Sequence, residues 1–346
     1  MPCHFDPRFF AAACRRFIGV SLVLLVLVAG CKQKDEPASQ GQQAAPAALT
    51  ICHSGFTDIL PRIALEQGYF AEKGLTVTLK ELDDGKQAFG GLLRGECNFT
   101  VSGAPPIVLA DPHSTPFTIL ATVFSDDDPI RIVARRDRGI ATPQDLKGKR
   151  IGVKKGVAGH LFLDLFMMKH GLGQNEVVLV FMEPDGFQSA LASGEIDGFS
   201  MTTRIVNGAA KALGDKAVVF AEPGLNPIHG ILTTRPDIPL NLQVTPRVLQ
   251  ALVRAEQYAK SEPAAAKALV AKAAQLSAQE IEEIWGRATI EVALANILFF
   301  HLEDQYRWQV GRGGSQAPAI MPNYLDLVSP GYLRAIKPDS VSVIKH

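Results

Sequence analysis

Four short loops combine small or hydroxyl-bearing side chains with a predicted helix start, a combination that binds anions through backbone N–H groups. One exposed helix N-terminus contributes only about 0.3–1 kcal/mol to anion binding, so two or more must converge on one ligand. Taken singly, each loop is better explained as an N-cap and turn, but four equivalent loops at one cleft favour a binding site. The loops are Ser54-Gly55-Phe56-Thr57-Asp58, Ser102-Gly103-Ala104-Pro105, Gly156-Val157-Ala158-Gly159-His160 and Met201-Thr202-Thr203-Arg204.

Several side chains at these loops have two interpretations. Arg204 opens a helix, where its charge opposes the helix dipole unless it faces a carboxylate or an anionic ligand, and His160 is equally ambiguous. Asp126 begins an Asp-Asp-Asp-Pro sequence that either rims the cleft or forms a solvated turn. Phe56, Phe124 and Phe187 line the site or belong to the core. The predicted ligand-binding residues are Ser54, Gly55, Phe56, Asp58, Ser102, Gly103, Ala104, Asp126, Gly156, Val157, Ala158, His160, Met201, Thr202, Thr203 and Arg204.

Motifs for catalysis are missing from the sequence. The segment Gly198-Phe199-Ser200-Met201-Thr202 lacks the last glycine of a nucleophile elbow, and no His-Glu-x-x-His metal motif occurs. The segment Gly152 to Gly156 lacks the Gly-Lys-Ser/Thr ending of a phosphate-binding loop, and no dinucleotide fingerprint follows a strand. We therefore predict no catalytic residue, no metal and no cofactor.

Strands alternating with helices must position the four loops. This alternation predicts parallel sheets with helices on both faces, and ligands bind such sheets at the carboxyl ends of the strands. A strand–helix–strand–helix pattern around Gly95-Glu96 recurs around Gly194-Glu195. The recurrence predicts two similar α/β lobes, although chance similarity between two ordinary βα units stays open.

The chain order requires two crossings between the lobes, and such crossings can act as a hinge. We predict lobe I at residues 48–140 and 226–346, which includes the strand at 130–134, and lobe II at residues 141–225. The crossings are expected near residues 137–147 and 221–230.

The first residues have the features of a secretory signal. Arg15-Arg16 precede an apolar run from Phe17 to Val28, which is short for a bilayer span and ends in small residues before Cys31. We predict a signal peptide at residues 1–30 and a flexible polar tether at residues 31–47. An uncleaved membrane anchor is the alternative.

Charge and cysteine content limit the remaining function classes. The sequence has 35 basic and 35 acidic residues, so neither a net field nor a basic run favours nucleic acid. In parallel strands Cys52 would lie level with Thr100, about 10 Å from Cys97, which is too far for a disulfide. We therefore expect both cysteines to be buried free thiols.

Three segments resemble the solute-binding lipoproteins of ABC importers for nitrate, sulfonate, taurine and thiamine-pyrimidine precursors. The similarity covers about residues 49–340, and the ending from Pro322 to Asp326 is also similar. Relatives often carry tryptophan and proline where this chain has the loop from Met201 to Arg204, so an aromatic contact from that loop is missing. The segments are Ala64-Leu65-Glu66-Gln67-Gly68-Tyr69-Phe70-Ala71-Glu72-Lys73-Gly74-Leu75, Asp145-Leu146-Lys147-Gly148-Lys149-Arg150-Ile151-Gly152-Val153 and Ala190-Leu191-Ala192-Ser193-Gly194-Glu195-Ile196-Asp197-Gly198.

The resemblance implies a type II periplasmic binding protein fold, a hinged two-lobed α/β receptor that delivers a small polar or anionic solute to a membrane permease and its ATPase. The tetrapeptide Val28-Ala29-Gly30-Cys31 resembles a bacterial lipobox, which implies lipidation of Cys31 and a membrane-anchored monomer in the periplasm or at the cell surface. Two alternatives remain open: a sensor subunit that uses the same hinge, and a secreted enzyme on the same fold.

Overall fold

The computed structural model describes residues 47–236, 241–311 and 317–343. The predicted signal peptide, the lipidation site Cys31 and nearly all of the predicted tether lie outside the described residues. Ala47, expected as the last tether residue, already begins the first strand. Within the described part of the chain, none of the helices combines the length and hydropathy needed to cross a bilayer.

Strands and helices alternate through most of the chain, as predicted, and helices dominate the C-terminal third. The strands are β1 (Ala47–His53), β2 (Leu75–Glu81), β3 (Phe99–Ser102), β4 (Thr118–Asp126), β5 (Ile130–Arg135), β6 (Arg150–Val153), β7 (Val178–Phe181), β8 (Gly198–Thr202), β9 (Ala217–Phe220), β10 (Ile228–Thr234) and β11 (Ala288–Thr289). The helices are α1 (Ile59–Glu66), α2 (Tyr69–Glu72), α3 (Gly85–Leu93), α4 (Ala104–Val108), α5 (Ala158–Lys169), α6 (Phe187–Ser193), α7 (Thr203–Leu213), α8 (Asn241–Ser261), α9 (Pro263–Ala273), α10 (Ala278–Arg287), α11 (Ile297–Gly311) and α12 (Pro330–Ile336).

Two sheets share one topology. The first has the order β11-β4-β10-β3-β1-β2 and the second the order β7-β6-β8-β5-β9. In each, a parallel triplet is followed by one antiparallel strand, β10 in the first sheet and β5 in the second. The units β2–α3–β3–α4 and β7–α6–β8–α7 occupy equivalent places, which confirms the repeat. We call the part built on the first sheet lobe I and the part built on the second lobe II.

The two antiparallel strands are the first elements after each crossing. Strand β4 ends at Asp126 in lobe I and β5 begins at Ile130 in lobe II, so the predicted crossing at residues 137–147 and the placement of this strand in lobe I are wrong. Pro129 accounts for the early break, because it has no N–H to extend the strand pairing. The second crossing lies between Phe220 and Ile228, as expected. The crossings contact each other, since the Gly224 N–H donates to the Asp127 carbonyl over 2.7 Å.

The hydrophobic cores follow this division. In lobe I one continuous core joins the sheet to α1 and to the C-terminal helices, and it includes Ile51, Leu252 and Leu302. In lobe II one cluster lies under α5 and a second lies under α6 and α7. The central strand β3 is buried along its whole length, as expected for a strand covered on both faces.

Cys52 and Cys97 form a disulfide, with their Cα atoms 5.9 Å apart, so the expectation of two free thiols is wrong. The predicted register was correct, because Cys52 does pair with Thr100. The error was to extend the strand back to Cys97. Strand β3 begins only at Phe99, and the preceding turn, where Gly95 has a φ of +79°, returns Cys97 towards the face that carries Cys52.

Candidate functional site

Lobe I contributes a cluster of small polar groups at the carboxyl ends of β1 and β3. Ser54 directly follows β1, Ser102 is the last residue of β3, and Gly103 is the N-cap of α4. A Cβ atom built on Gly85 would lie 3.7 Å from both Ser54 Oγ and Gly103 N, so the start of α3 joins the same cluster. The Ser102 hydroxyl is fully buried and has no hydrogen-bond partner among the described residues. The hydroxyl and N–H groups of this cluster can donate hydrogen bonds to the oxygens of an anion.

Gly85 was not among the predicted site residues. Its signal was present in the sequence, because Asp84-Gly85 is one of the anchors of the internal repeat and aspartate is a frequent N-cap. In the structure the Asp84 side chain accepts the Gln87 N–H over 2.8 Å and starts the helix there.

Asp58 is the last residue of the first loop. Its carboxylate is buried, contacts Arg62 Nη2 at 2.5 Å and lies 3.6 Å from His53 Nε2. Burial raises the pKa of Asp58, and the charges of His53 and Arg62 oppose that shift. The neighbouring Gly55 has a φ of +58°, a conformation that favours glycine. Ala104 begins α4, and Phe56 has a side chain outside the described set.

Lobe II contributes the start of α5. Val157 is the N-cap, so the N–H groups of Ala158 and Gly159 have no partner within the helix. A Cβ atom on Gly159 would lie 2.6 Å from the Ser200 carbonyl oxygen, and the Ser200 hydroxyl donates to the Gly159 carbonyl over 2.8 Å. Only glycine allows this close approach of α5 to β8. His160 is buried, and its Nδ1 accepts the N–H of Gly156 over 3.3 Å.

The second loop of lobe II is fixed to the first crossing. Thr203 is buried; its hydroxyl donates to the Asp128 carbonyl over 2.9 Å, and its N–H donates to the Pro129 carbonyl over 2.9 Å. The Thr203 side chain is therefore engaged within the protein. Met201 and Thr202 are half-buried at the end of β8. This arrangement links the loop directly to the hinge.

Arg204 faces a carboxylate. Its Nε lies 3.1 Å from Glu280 Oε1 on α10, which is one of the two partners that its position at a helix start requires. Asn207 donates to Glu283 on the same helix over 3.0 Å. These two contacts join lobe II to a helix of the lobe I core.

A second set of contacts between the lobes comes from α11. Trp308 Nε1 donates to Asp164 Oδ2 over 2.7 Å, and Gln309 Nε2 donates to the Gly156 carbonyl over 2.8 Å. Trp308 and Gln309 were not among the predicted site residues. No local motif could have revealed this contact, because it joins elements separated by 144 positions.

The acids at the first crossing are mostly buried, so the solvated turn favoured by their composition does not describe them. Asp126 accepts the Arg287 Nε over 2.7 Å and the Asp128 N–H over 2.9 Å. Asp128 also pairs with Arg131. Phe124 and Phe187 belong to the cores, and Phe187 stacks on Phe199 with ring centroids 5.0 Å apart.

The structure thus brings Ser54, Ser102, Gly103 and Gly85 together in lobe I, and places Asp58, Asp126 and Thr203 in contacts within the protein. Two surface grooves of about 420 and 460 Å³ lie along α8, α9 and α10, and their lining residues do not include the four loops. Among residues 47–236, 241–311 and 317–343, no group of three potential metal ligands is placed to hold an ion.

Comparison with known proteins gives sequence relatives over about half of their length. The family model described as NMT1/THI5 like matches residues 59–266, which is more than half of the chain. A putative binding protein of Brucella abortus is 28% identical over 184 residues, which is 53% of each chain. A putative aliphatic sulfonates-binding protein of Bacillus subtilis is 27% identical over 209 residues, 59% of this chain and 61% of that protein. The taurine-binding periplasmic protein of Escherichia coli is 25% identical over 170 residues, 49% of this chain and 52% of that protein.

Solved structures match over a larger share of the chain. The periplasmic aliphatic sulphonate binding protein SsuA of E. coli has a TM-score of 0.65 at 18% identity, covering 80% of this chain and 93% of that one. The alkanesulfonate-binding protein SsuA of Xanthomonas axonopodis pv. citri, bound to MOPS, has a TM-score of 0.62 at 18% identity, covering 83% and 100%. The desulfurization enzyme DSZB has a TM-score of 0.63 at 17% identity, covering 84% and 98%. These similarities confirm the type II periplasmic binding protein fold.

Proposed function

The chain belongs to the NMT1/THI5-like family, and we propose that it is the solute-binding component of an ABC importer, with a small organic anion as its solute. The observation that carries this proposal is the polar cluster of lobe I. Ser54, Ser102, Gly85 and Gly103 offer hydroxyl and N–H donors at one point, and the Ser102 hydroxyl is buried without a partner among the described residues. A buried polar group without a hydrogen bond costs about 1–3 kcal/mol, which a bound anion would recover.

The solute class that fits is a sulfonate. A sulfonate has three acceptor oxygens that share one negative charge on a tetrahedral centre, which suits several N–H and hydroxyl donors at once. The start of α5 and the loop from Met201 to Arg204 would contribute from lobe II when the lobes close. Relatives named for taurine and for aliphatic sulfonates support this class.

Delivery to a permease requires the receptor to remain outside the cytoplasm. We propose that lipidated Cys31 anchors the mature monomer to a membrane, in the periplasm or at the cell surface, beside the permease and its ATPase. Several acyl chains make such attachment effectively permanent. In cell fractionation the wild-type chain should sediment with membranes, whereas Cys31→Ser should abolish lipid labelling. A Cys31→Ser chain that still incorporates a labelled fatty acid would contradict the anchor.

An enzyme is the competing class of protein, because the desulfurization enzyme DSZB has this fold. Both cysteines in the described part of the chain are joined in the disulfide, so a thiol nucleophile would have to come from elsewhere. Mass spectrometry of the ligand recovered after binding distinguishes a receptor from an enzyme. A receptor binds the solute stoichiometrically and releases it unchanged, whereas an enzyme converts it.

The binding site itself is tested with a pair of substitutions on β3. Ser102→Ala removes a hydroxyl that has no partner within the described structure. It should therefore weaken sulfonate binding at least 10-fold and leave the stability of the protein unchanged or slightly higher. Thr100→Val is the control, because the Thr100 hydroxyl donates to the Cys52 carbonyl over 2.9 Å and should affect stability more than binding. Calorimetric titration and thermal unfolding measure both quantities. A Ser102→Ala protein with normal affinity and a lower melting temperature would contradict the site.

A further inference from the structure

One large aromatic side chain is exposed at the carboxyl edge of the lobe II sheet. Phe181 is the last residue of β7, pairs in register with Val153 at the end of β6, and is 52% exposed. The loop from Gly156 to His160 follows β6 after Lys154 and Lys155, and its His160 ring contacts Phe181, so Phe181 lies beside one of the proposed anion-binding loops. A phenylalanine in this position can contact the solute rather than the core.

Phe181 is part of an aromatic cluster built from both lobes. The His160 ring lies edge-on to Phe181 with centroids 5.5 Å apart, and edge-on to Trp308 with centroids 5.2 Å apart. Trp308 belongs to α11 of lobe I, so the three rings are complete only when the lobes approach each other. His160 also accepts the Gly156 N–H, which ties the cluster to the start of α5.

The cation of Lys155 lies beside the cluster. The Lys155 ammonium is 5.9 Å from the centre of the Phe181 ring, and no carboxylate lies within ion-pair distance of it in the described part of the chain. The adjacent Lys154 differs, because it pairs with Glu183 at 2.9 Å. That hydrogen bond raises the pKa of Lys154, and the negative charge of Asp84 in lobe I adds to the effect. The contact of the His160 ring with Trp308 of α11 places this region against lobe I.

We propose that Phe181 is a specificity-determining residue and that the solute is an arenesulfonate, whose ring packs on Phe181 while its sulfonate binds the polar cluster. The inference rests on the proposed sulfonate receptor. Lys155 would favour an aromatic ring that carries negative charge, through cation–π and charge attraction. The cluster also supplies the aromatic contact that the loop from Met201 to Arg204 lacks.

The test compares three ligands on the full chain by calorimetric titration: benzenesulfonate, ethanesulfonate and benzoate. Wild type should bind benzenesulfonate at least 10-fold more tightly than ethanesulfonate, in line with the strength of an aromatic contact. Phe181→Ala should remove most of this preference, and Phe181→Leu, which keeps apolar bulk, should remove part of it. Phe300→Ala is the matched control, since Phe300 is 62% exposed elsewhere on α11 and should change neither affinity.

The outcomes separate this inference from the proposed function. Equal affinities of wild type for the two sulfonates, or equal losses for both in Phe181→Ala, would overturn the aromatic contact and leave the sulfonate receptor intact. Binding of benzoate through Phe181 without binding of either sulfonate would keep the aromatic contact and overturn the sulfonate class. Failure of all three ligands to bind would overturn both.

Discussion

Breaking the disulfide between Cys52 and Cys97 should destabilise the protein strongly. The bond closes a loop of 45 residues in the unfolded chain, and the loop-closure entropy for that length corresponds to about 4 kcal/mol at 25 °C. Both sulfurs are buried, so a reductant reaches them mainly in the unfolded state. Equilibrium unfolding in urea with and without a phosphine reductant therefore compares the same residues with and without the bond.

The control for that measurement is the double variant Cys52→Ala/Cys97→Ala, whose unfolding should be insensitive to the reductant. Peptide mapping under non-reducing conditions should recover one linked fragment that contains both residues. Wild-type midpoints that coincide with and without reductant, or a map with two free thiols, would refute the disulfide and the entropy argument together. Under conditions where the protein is fully folded, loss of the disulfide should change the solute affinity less than 2-fold, because β1 is also held by pairing with β2 and β3.

Three further perturbations test the hinge and the core. Thr203→Val leaves the buried Asp128 carbonyl without its hydroxyl donor and should cost about 1–2 kcal/mol in urea unfolding; an unchanged midpoint would contradict this role. Arg204→Ala breaks an exposed ion pair with Glu280, so it should lower the free energy of unfolding by under about 1 kcal/mol. The same substitution should increase the radius of gyration of the ligand-free protein in X-ray scattering. An unchanged radius would argue against a contact that holds the lobes together. His229 has a pKa lowered from 6.5 to about 4, chiefly by burial and then by His301, so the unfolded chain binds more protons between these values. Stability should therefore fall by about 3 kcal/mol as pH drops from 6.5 to 4, and His229→Gln should flatten this pH dependence in urea unfolding.

The lobes were predictable from the sequence because their signals are local. Alternation of strands and helices and the recurrence around Gly95 and Gly194 specify two equivalent units, and both appear in the two sheets. The position of the first crossing was not predictable by the same means. Strands β4 and β5 are neighbours in sequence, so they look like a pair in one sheet, and only their partners β10 and β8 reveal that they belong to different lobes.

Part of the candidate site was also predictable. The rule that ligands bind at the carboxyl ends of parallel strands selected Ser54 and Ser102, and the structure places both at the carboxyl ends of β1 and β3; their role in binding stays a prediction. It could not identify Trp308 or Glu280, because these residues come from helices that follow both lobes in the chain. The missed disulfide has the same origin, since an extended path was assumed for a segment that turns at Gly95.

Strand β5 of lobe II and strand β10 of lobe I each directly follow one of the two crossings, so the hinge is connected to both sheets. The crossing from β4 to β5 and the crossing from β9 to β10 contact each other, because the Gly224 N–H donates to the Asp127 carbonyl. Thr203 connects the first crossing to the start of α7, where a solute would bind from lobe II. A ligand bound at this loop, as proposed, would act on the hinge through one buried hydrogen bond rather than through a long chain of contacts. Because a ligand shifts a conformational equilibrium only by its differential affinity for the two states, this short connection favours coupling of solute binding to closure.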